Sequence, residues 1–173
     1  AVETDSDIVF FEVGGTVGDL ENMYCIEAAR QLMYEEGKEN VCFISLTYVL
    51  EPKFLGEQKS KAAQLGIKSL LSMGIQPDII GCRAHNPVTE QVKEKISVYS
   101  NVKKENVISL HDVDSIYLIP EMLREKKMAE SVLNILNLEQ KASKEEEEKK
   151  LREWAKFTKS IESDKEKVTD RKS

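Results

Sequence analysis

The sequence predicts an α/β fold with a mostly parallel sheet flanked by helices. Short apolar runs rich in Val, Ile and Leu alternate along the chain with longer segments of helical periodicity. This alternation is typical of parallel strands that are joined by crossover helices. Strands are predicted at residues 8–13, 41–47, 78–82 and 107–110. The 8–13 strand is expected to lie centrally in the sheet, because its run is apolar on both faces.

Three helices are predicted between these strands, at residues 20–36, 62–73 and about 88–99. Gly37 and Gly74 directly follow the first two segments. Glycine readily adopts the left-handed conformation that closes many helices, so these two residues mark helix ends.

The third helix is predicted to bury one face. Val92, Ile96 and Tyr99 share that face at i, i+4, i+7 spacing. Lys93 and Lys95 lie off this apolar stripe.

The composition changes beyond about residue 138, where charged residues dominate. Pro120 is expected in the first turn of one more helix before that point. Within residues 144–150, Glu145 with Lys149 and Glu146 with Lys150 favour a solvated helix, by about 0.2–0.5 kcal/mol for each pair. An apolar stripe then follows and must dock on another surface, whether another domain or the chain's own sheet: Leu151, Trp154, Ala155, Thr158 and Ile161.

Length and charge restrict the function classes. A chain of 173 residues suits one modest domain plus a charged extension. The net charge of −6 argues against binding to a nucleic-acid backbone, which needs a dominant basic surface. No long apolar span is present, so a membrane partner is not expected. The three cysteines (Cys25, Cys42 and Cys82) are an odd number beside apolar runs, which favours packing roles in a reduced, cytoplasmic protein.

The first apolar run delivers Glu12 to a glycine-rich segment containing Gly14, Gly15 and Gly18. Ligands of open α/β sheets bind at the carboxyl ends of strands, and a divalent metal is a natural partner for a carboxylate held there. Asp19 is expected to cap the helix that follows. The alternative is a tight strand-to-helix turn without a ligand.

A second cluster places Lys59 and Lys61 two residues apart, before the second helix and next to Ser60 and Gln64. Ammonium groups near a helix start, with hydroxyl and amide groups beside them, suit phosphate binding. The alternative is an ordinary solvated surface, which is the commoner fate of a lysine pair.

Taken together, these segments resemble the amidoligase (synthetase) domain of CTP synthase. The matching residues are collinear from residue 7 to about residue 123. They comprise residues 12–21, Glu27-Ala28, Arg30-Gln31, residues 56–59, Lys61, Gln64, Gly74-Ile75, Pro77-Asp78, Cys82-Arg83, residues 93–96 and residues 111–117. The resemblance implies a P-loop NTPase-like (dethiobiotin-synthetase-like) fold and a role in the ATP-dependent amination of UTP to CTP with ammonia from glutamine.

The resemblance also implies parts that this sequence does not contain. In the family a phosphate-binding P-loop precedes the glutamate-glycine motif, and a glutamine amidotransferase (glutaminase) domain follows the linker helix. The chain is therefore interpreted as an internal piece, with a partial synthetase domain at 1–137, a linker helix region at 138–163 and a disordered tail at 164–173. No catalytic residue is assigned, and the isolated chain is expected not to make CTP.

Site residues follow from the same resemblance. Glu12 matches a magnesium-binding glutamate. The residues that match contacts to UTP or CTP are Asp19, Leu20, Glu21, Lys59, Ser60, Lys61, Gln64 and Lys95. Those that match a segment bordering the ATP adenine are His111, Asp112 and Val113. The family's pyrimidine nucleotide site is shared between subunits of a tetramer, so a homo-oligomer is expected, with Glu12, His111 and the glycines lining one crevice.

Several positions depart from the family pattern. Ala62-Ala63 stands where Pro-Thr is usual, and Leu50 replaces a proline. Asn22, Tyr24 and Cys25 replace a small residue and Pro-Phe. Nucleotide binding is therefore expected to be weakened but retained. Two hypotheses remain, a part of an active CTP synthase or a noncatalytic paralogue or truncated product that acts in subunit assembly.

Overall fold

The computed structural model describes residues 6–54, 56–139 and 143–163. The chain divides after Asp112 into two compact units. The first unit contains the sheet, and the second consists of helices and their connections.

Three parallel strands form the sheet of the first unit, confirming the predicted α/β class. Strand β1 is Ile44–Tyr48, β2 is Ile79–Ala84 and β3 is Val107–His111. Their order is β1-β2-β3, with β2 in the centre. Leu46 lies opposite Gly81, which in turn lies opposite Ile108.

The helices of this unit lie close to their predicted positions. Helix α1 is Met23–Glu36, α2 is Lys61–Ser72 and α3 is Glu90–Ser100. Gly37 follows α1 with φ 91° and Gly74 follows α2 with φ 82°, so both helix ends use the left-handed region as predicted.

The core lies between one face of the sheet and helices α2 and α3. Apolar side chains from both layers meet there, among them Val49, Ile67, Ile80, Cys82 and Ile96. In α3, Val92 and Ile96 are buried as predicted, whereas Tyr99 is 41% exposed, so its predicted burial is wrong. Ser100 takes the buried position instead, and its hydroxyl donates to Ile96 O at 2.7 Å.

The opposite face of β1 is open to solvent. Ile44, Leu46 and Tyr48 alternate along the strand and are exposed. A Cβ atom on Gly81 would lie 3.2 Å from Leu46 Cδ1 and 2.9 Å from Leu110 Cδ1. A glycine at this point lets the two leucine side chains approach each other across β2.

The predicted strand at 8–13 is wrong, and so is its predicted central place in the sheet. This segment forms no strand, and Phe10 and Phe11 are 84% and 72% exposed. Val13 alone packs, against a small cluster that contains Ile26 and Ile75. Apolar β-favouring residues form a strand only where a neighbour pairs with their backbone, and the described residues pair no strand with this segment.

The second unit carries three helices among its described residues: α4 (Ile119–Glu125), α5 (Met128–Ile135) and α6 (Lys144–Ser163). Pro120 lies in the first turn of α4, as predicted. None of the helices in the described part of the chain is long and apolar enough to cross a membrane.

The solvated charged segment of α6 leads into a small aromatic cluster. Trp154 Nε1 donates to Tyr117 O at 3.1 Å, and the Tyr117 and Phe157 rings meet edge to face with centroids 5.2 Å apart. The predicted stripe therefore docks through Trp154, but exposed Ala155 takes no part and Phe157 was missed. The Ile161 side chain and the predicted disordered tail, 164–173, lie outside the described residues.

The burial of the cysteines predicts their reactivity. Burial raises the pKa of the Cys82 thiol to about 12 and that of the Cys42 thiol to about 11. Since the thiolate is the reactive form, we expect iodoacetamide at pH 8 to leave Cys82 unmodified in the native chain while Cys25, which is partly exposed, reacts. Peptide mass spectrometry measures this, with urea-unfolded chain as the control. Equal rates for Cys82 and Cys25 in the native chain would contradict the packing role.

Candidate functional site

The glycine loop, residues 14–19, is held by hydrogen bonds between residues close in sequence. Asp19 N donates to Thr16 O at 3.0 Å, and Thr16 N donates to Asp19 Oδ2 at 3.2 Å. Gly15 has φ 84° and Gly18 has φ 105°, a region in which side chains other than glycine are strained. The loop conformation thus depends on these two glycines.

Asn22 fixes this loop to the start of α1. Its Nδ2 donates to Gly14 O at 3.2 Å and to Thr16 O at 2.7 Å, and the residue is 5% exposed. Asn22, not Asp19, occupies the N-cap of α1, and its side chain makes no capping bond. The predicted cap is therefore wrong, because the Asp19 carboxylate is engaged inside the loop.

The Asp19 carboxylate of the glycine loop and the Glu21 carboxylate just after the loop both approach Gly15. A Cβ atom placed there would lie 3.6 Å from Glu21 Oε1 and 3.9 Å from Asp19 Oδ2. Leu20, between them in sequence, is 88% exposed. The fold thus brings Asp19 and Glu21 together and leaves the Leu20 side chain in solvent.

Glu12 lies just before the loop and is exposed. Its Oε1 would be 3.7 Å from a Cβ atom on Gly14. Among the described residues, no group of three His, Cys, Asp or Glu side chains could hold a metal ion. Glu12 thus offers a single carboxylate, which fits Mg²⁺ only in the arrangement where substrate phosphates and waters complete the coordination.

The lysine loop, residues 57–61, brings two predicted site residues near one carboxylate. Lys59 N donates to Leu50 O at 2.7 Å, and Lys59 Nζ forms an ion pair with Glu57. The hydrogen bond from Lys59 holds the pKa of the Glu57 carboxyl below its ordinary value, and the charge of Lys95 acts in the same direction. Lys59 therefore forms an ion pair with Glu57, and Lys95, from α3, contributes only to the electrostatic field at this carboxylate.

The lysine loop runs into α2 through Ser60. Ser60 is the N-cap of α2 and is buried, and Gln64 Nε2 donates to Ser60 Oγ at 3.2 Å. Lys61 occupies the first helical position and is exposed. The predicted set of Ser60, Lys61 and Gln64 thus lies together at a helix N-terminus, where free N–H groups favour anions.

The carboxyl ends of β2 and β3 carry a charged group that we term the Asp112 cluster: Arg83, His85 and Asp112. Arg83 Nη2 donates to Asp112 Oδ1 at 2.6 Å, and His85 Nδ1 lies 2.9 Å from Asp112 Oδ2. These hydrogen bonds, first that of His85 and then that of Arg83, hold the pKa of the Asp112 carboxyl below its ordinary value. A polar ligand at this edge would meet an exposed imidazole and a fixed carboxylate.

Sequence reasoning assigned no role to Arg83 or His85. The signal that could have found them is topological, because Arg83 lies near the carboxyl end of β2 and Asp112 directly follows the neighbouring parallel strand β3, so both reach the same sheet edge. The predicted residue His111 lies within 3.5 Å of Ser109 Oγ through Nδ1, and Val113 is the first residue of the second unit.

The predicted site residues fall into three groups rather than one. The loop that joins β2 to α3, residues 85–89, contacts both the lysine loop and Asp112. No hydrogen bond or ion pair between described residues joins the glycine loop or Glu12 to either group. The predicted crevice shared by Glu12 and His111 therefore remains a prediction.

Comparison with known proteins decides the family. The protein-family model described as CTP synthase N-terminus matches residues 1–138. The chain belongs to the CTP synthase family. It is 44% identical over 156 residues to CTP synthase from Pyrococcus horikoshii, a match covering 90% of this chain and 28% of that protein. CTP synthases from Thermococcus gammatolerans and a Hydrogenobaculum species are 47% and 45% identical over 79% and 91% of this chain, and 26% and 28% of their own lengths.

The chain therefore spans less than a third of the length of these curated relatives. The family match places the glycine loop, the lysine loop and the Asp112 cluster inside the N-terminal region of CTP synthases. It leaves the role of each side chain to be tested.

Asn22 offers a direct test of how the glycine loop is held. We expect Asn22→Asp to lower the free energy of unfolding by roughly 3 kcal/mol, because an anionic oxygen would replace the donor that faces two carbonyl oxygens in a buried position. Urea unfolding followed by circular dichroism measures this. Asn134→Asp, at an exposed position of α5, is the matched control and should change little. A similar small change in both variants would contradict the loop-fixing role.

Asp112 predicts a pH dependence of stability. Because its folded pKa lies below the ordinary value of 3.8, its ion pairs stabilise the fold fully above that pH and lose their effect as pH falls through the folded pKa. We expect the stability difference between the wild-type chain and Asp112→Asn to be present at pH 5 and to shrink toward pH 2. Urea titrations across this range measure it, with exposed Asp114→Asn as the control. A difference that grows on acidification would contradict the lowered pKa.

Proposed function

We propose that the chain forms part of an enzyme that aminates UTP to CTP, with ATP as the second substrate and glutamine-derived ammonia as the nitrogen donor. In this proposal the chain supplies the loops that bind UTP and its product CTP. The observation that carries it is the arrangement of Lys59 and Lys61 at the N-terminus of α2, where Ser60 is the N-cap and Gln64 bonds to its hydroxyl.

A triphosphate suits this arrangement electrostatically. Lys59 and Lys95 come from separate elements, Lys61 adds a third ammonium group, and the first turn of α2 adds unpaired N–H groups. A hydrogen bond to a charged group contributes about 1.5–3 kcal/mol, so two or three of them outweigh one lost threonine hydroxyl.

The substituted positions leave the helix start intact. Ala62 is exposed in the first turn of α2, and Ala63 is fully buried in the core. Alanine is a strong helix former, so α2 begins correctly without the usual proline. This supports the retention of nucleotide binding despite the two substitutions.

The finer roles belong to the same proposal. Glu12 would supply one oxygen ligand to Mg²⁺, which neutralises charge during phosphoryl transfer. His111, Asp112 and Val113 would border the adenine of ATP, and Asp19, Leu20 and Glu21 would contact the pyrimidine nucleotide. Ser60 and Gln64 would complete the phosphate loop. A cytoplasmic homotetramer with a glutaminase domain in the full-length enzyme completes the proposal.

Calorimetric titration with UTP and with CTP tests the nucleotide site. We expect Lys59→Ala to weaken binding roughly tenfold to a hundredfold, because the ammonium group is lost and Glu57 is left unpaired beside the phosphates. Lys68→Ala, which removes an exposed lysine from the middle of α2, is the matched control and should bind as the wild-type chain does.

Two further observations sharpen this test. Affinity should fall as salt rises from 0.05 to 0.5 M, since screening acts on exposed ion pairs. Binding should also require an oligomer, which sedimentation under the same conditions measures. Equal binding by the wild-type chain and Lys59→Ala would refute the nucleotide site, and saturable binding by a strict monomer would refute its sharing between subunits.

A further inference from the structure

Gln58, within the lysine loop, bonds to the loop that precedes α3. Its Nε2 donates to Pro87 O at 3.0 Å, and its Oε1 accepts from Thr89 N at 2.9 Å. The carboxamide therefore uses one donor and one acceptor on backbone groups two residues apart. These two contacts fix the orientation of the carboxamide. If the amide were flipped, its oxygen would face the carbonyl oxygen of Pro87 and its nitrogen would face the N–H of Thr89.

A second contact holds the loop that precedes α3 to the segment beside the lysine loop. Asn86 Nδ2 donates to Glu51 Oε2 at 2.9 Å. Leu50 and Lys59 form an antiparallel bridge, which ties the segment carrying Glu51 to the lysine loop. The lysine loop is thus held against residues 86–89 at two points.

Gln58 contacts α3 at Thr89, the residue where this helix begins. Thr89 is the N-cap of α3, and its side chain accepts from Val92 N at 3.4 Å. Lys95 lies on α3, so the helix that presents this lysine begins at the residue that Gln58 holds. Gln58 thereby connects the backbone beside Lys59 directly to the helix of Lys95.

We infer that Gln58 is a positioning residue for the triphosphate of UTP and CTP. Its carboxamide sets the distance between the lysine loop and α3, so that Lys59 and Lys95 meet the same phosphate chain. This inference rests on the proposed function, and it adds a determinant outside the set of phosphate-contacting residues.

The surroundings of Gln58 separate positioning from a role in folding. Gln58 is only partly buried and belongs to neither apolar cluster of the first unit. Val88, between its two backbone partners, is buried independently, and Val88 N donates to Ser109 Oγ at 2.9 Å. Removing the carboxamide is therefore expected to loosen the lysine loop while the core persists.

Amide hydrogen exchange by NMR tests the contact itself, without nucleotide. Gln58→Met keeps the side-chain length and removes both hydrogen bonds, so the Thr89 amide should exchange at least tenfold faster. Gln91→Met makes the same chemical change at an exposed position of α3 and is the matched control, in which the Thr89 amide should keep its protection. Thermal unfolding of both variants should remain close to that of the wild-type chain.

Calorimetric titration with UTP then tests the positioning role. We expect roughly tenfold weaker binding for Gln58→Met and unchanged binding for Gln91→Met. Gln58→Glu keeps the acceptor for Thr89 N but places an anionic oxygen against Pro87 O and adds negative charge beside the triphosphate, so it should bind UTP at least as weakly as Gln58→Met. Lys95→Met should weaken binding less in the Gln58→Met background than in the wild-type chain, because Lys95 is then already displaced.

The outcomes separate the two claims. A wild-type chain that does not bind UTP refutes the proposed function and, with it, this inference. Binding by the wild-type chain that is unchanged in Gln58→Met, despite faster exchange at Thr89, refutes the positioning role alone. Equal effects of Lys95→Met in both backgrounds would also overturn it, because a purely local or structural role for Gln58 predicts independent losses.

Discussion

Strand β2 pairs with a parallel neighbour along each edge, and these ladder bonds fix the elements that carry the lysine loop and Asp112. Its apolar side chains are fully buried, as expected for a central strand of a parallel sheet. The loop at its carboxyl end, residues 85–89, touches Asp112 on one side and Gln58 on the other. The pairing of β2 therefore positions the Gln58 and Asp112 contacts at this edge of the sheet.

Elements that depend on local pattern could be predicted from the sequence. The strands β1 to β3, the helices α1 to α3 and the glycines that end two of these helices required only apolar runs, periodicity and turn chemistry. The 8–13 segment has the same apolar pattern and forms no strand, because strand formation also needs a backbone partner that a pattern cannot reveal. Asp19 was predicted as the cap of α1, but Asn22 occupies that position. The reason is similar, since the choice depends on which side chain the loop engages.

The site residues also divide into those that the sequence pointed to and those that depend on tertiary contacts. Lys59 and Lys95 are 36 positions apart in sequence, and it was the family resemblance, not a local pattern, that linked them. Arg83 and Gln58 are among the residues that carry the family resemblance and His85 is not, but none of the three was assigned a role, because their contacts depend on single side chains. Such contacts have no periodicity, and they follow only after the strand order is known.

The energetics of the lysines are compatible with the proposed nucleotide site. The Lys59 and Glu57 side chains are 43% and 63% exposed, and an exposed ion pair of this kind contributes about 0–1 kcal/mol. Displacing Glu57 by a phosphate group therefore costs little. On α3, Lys93 pairs with Glu90, and Lys104 just beyond the helix pairs with Glu90 and Glu94, whereas Lys95 has no ion pair within 4.0 Å among the described residues. The neighbouring charges of α3 are thus neutralised locally, and the ammonium group of Lys95 is left without an ion pair among the described residues, as the proposed nucleotide site requires.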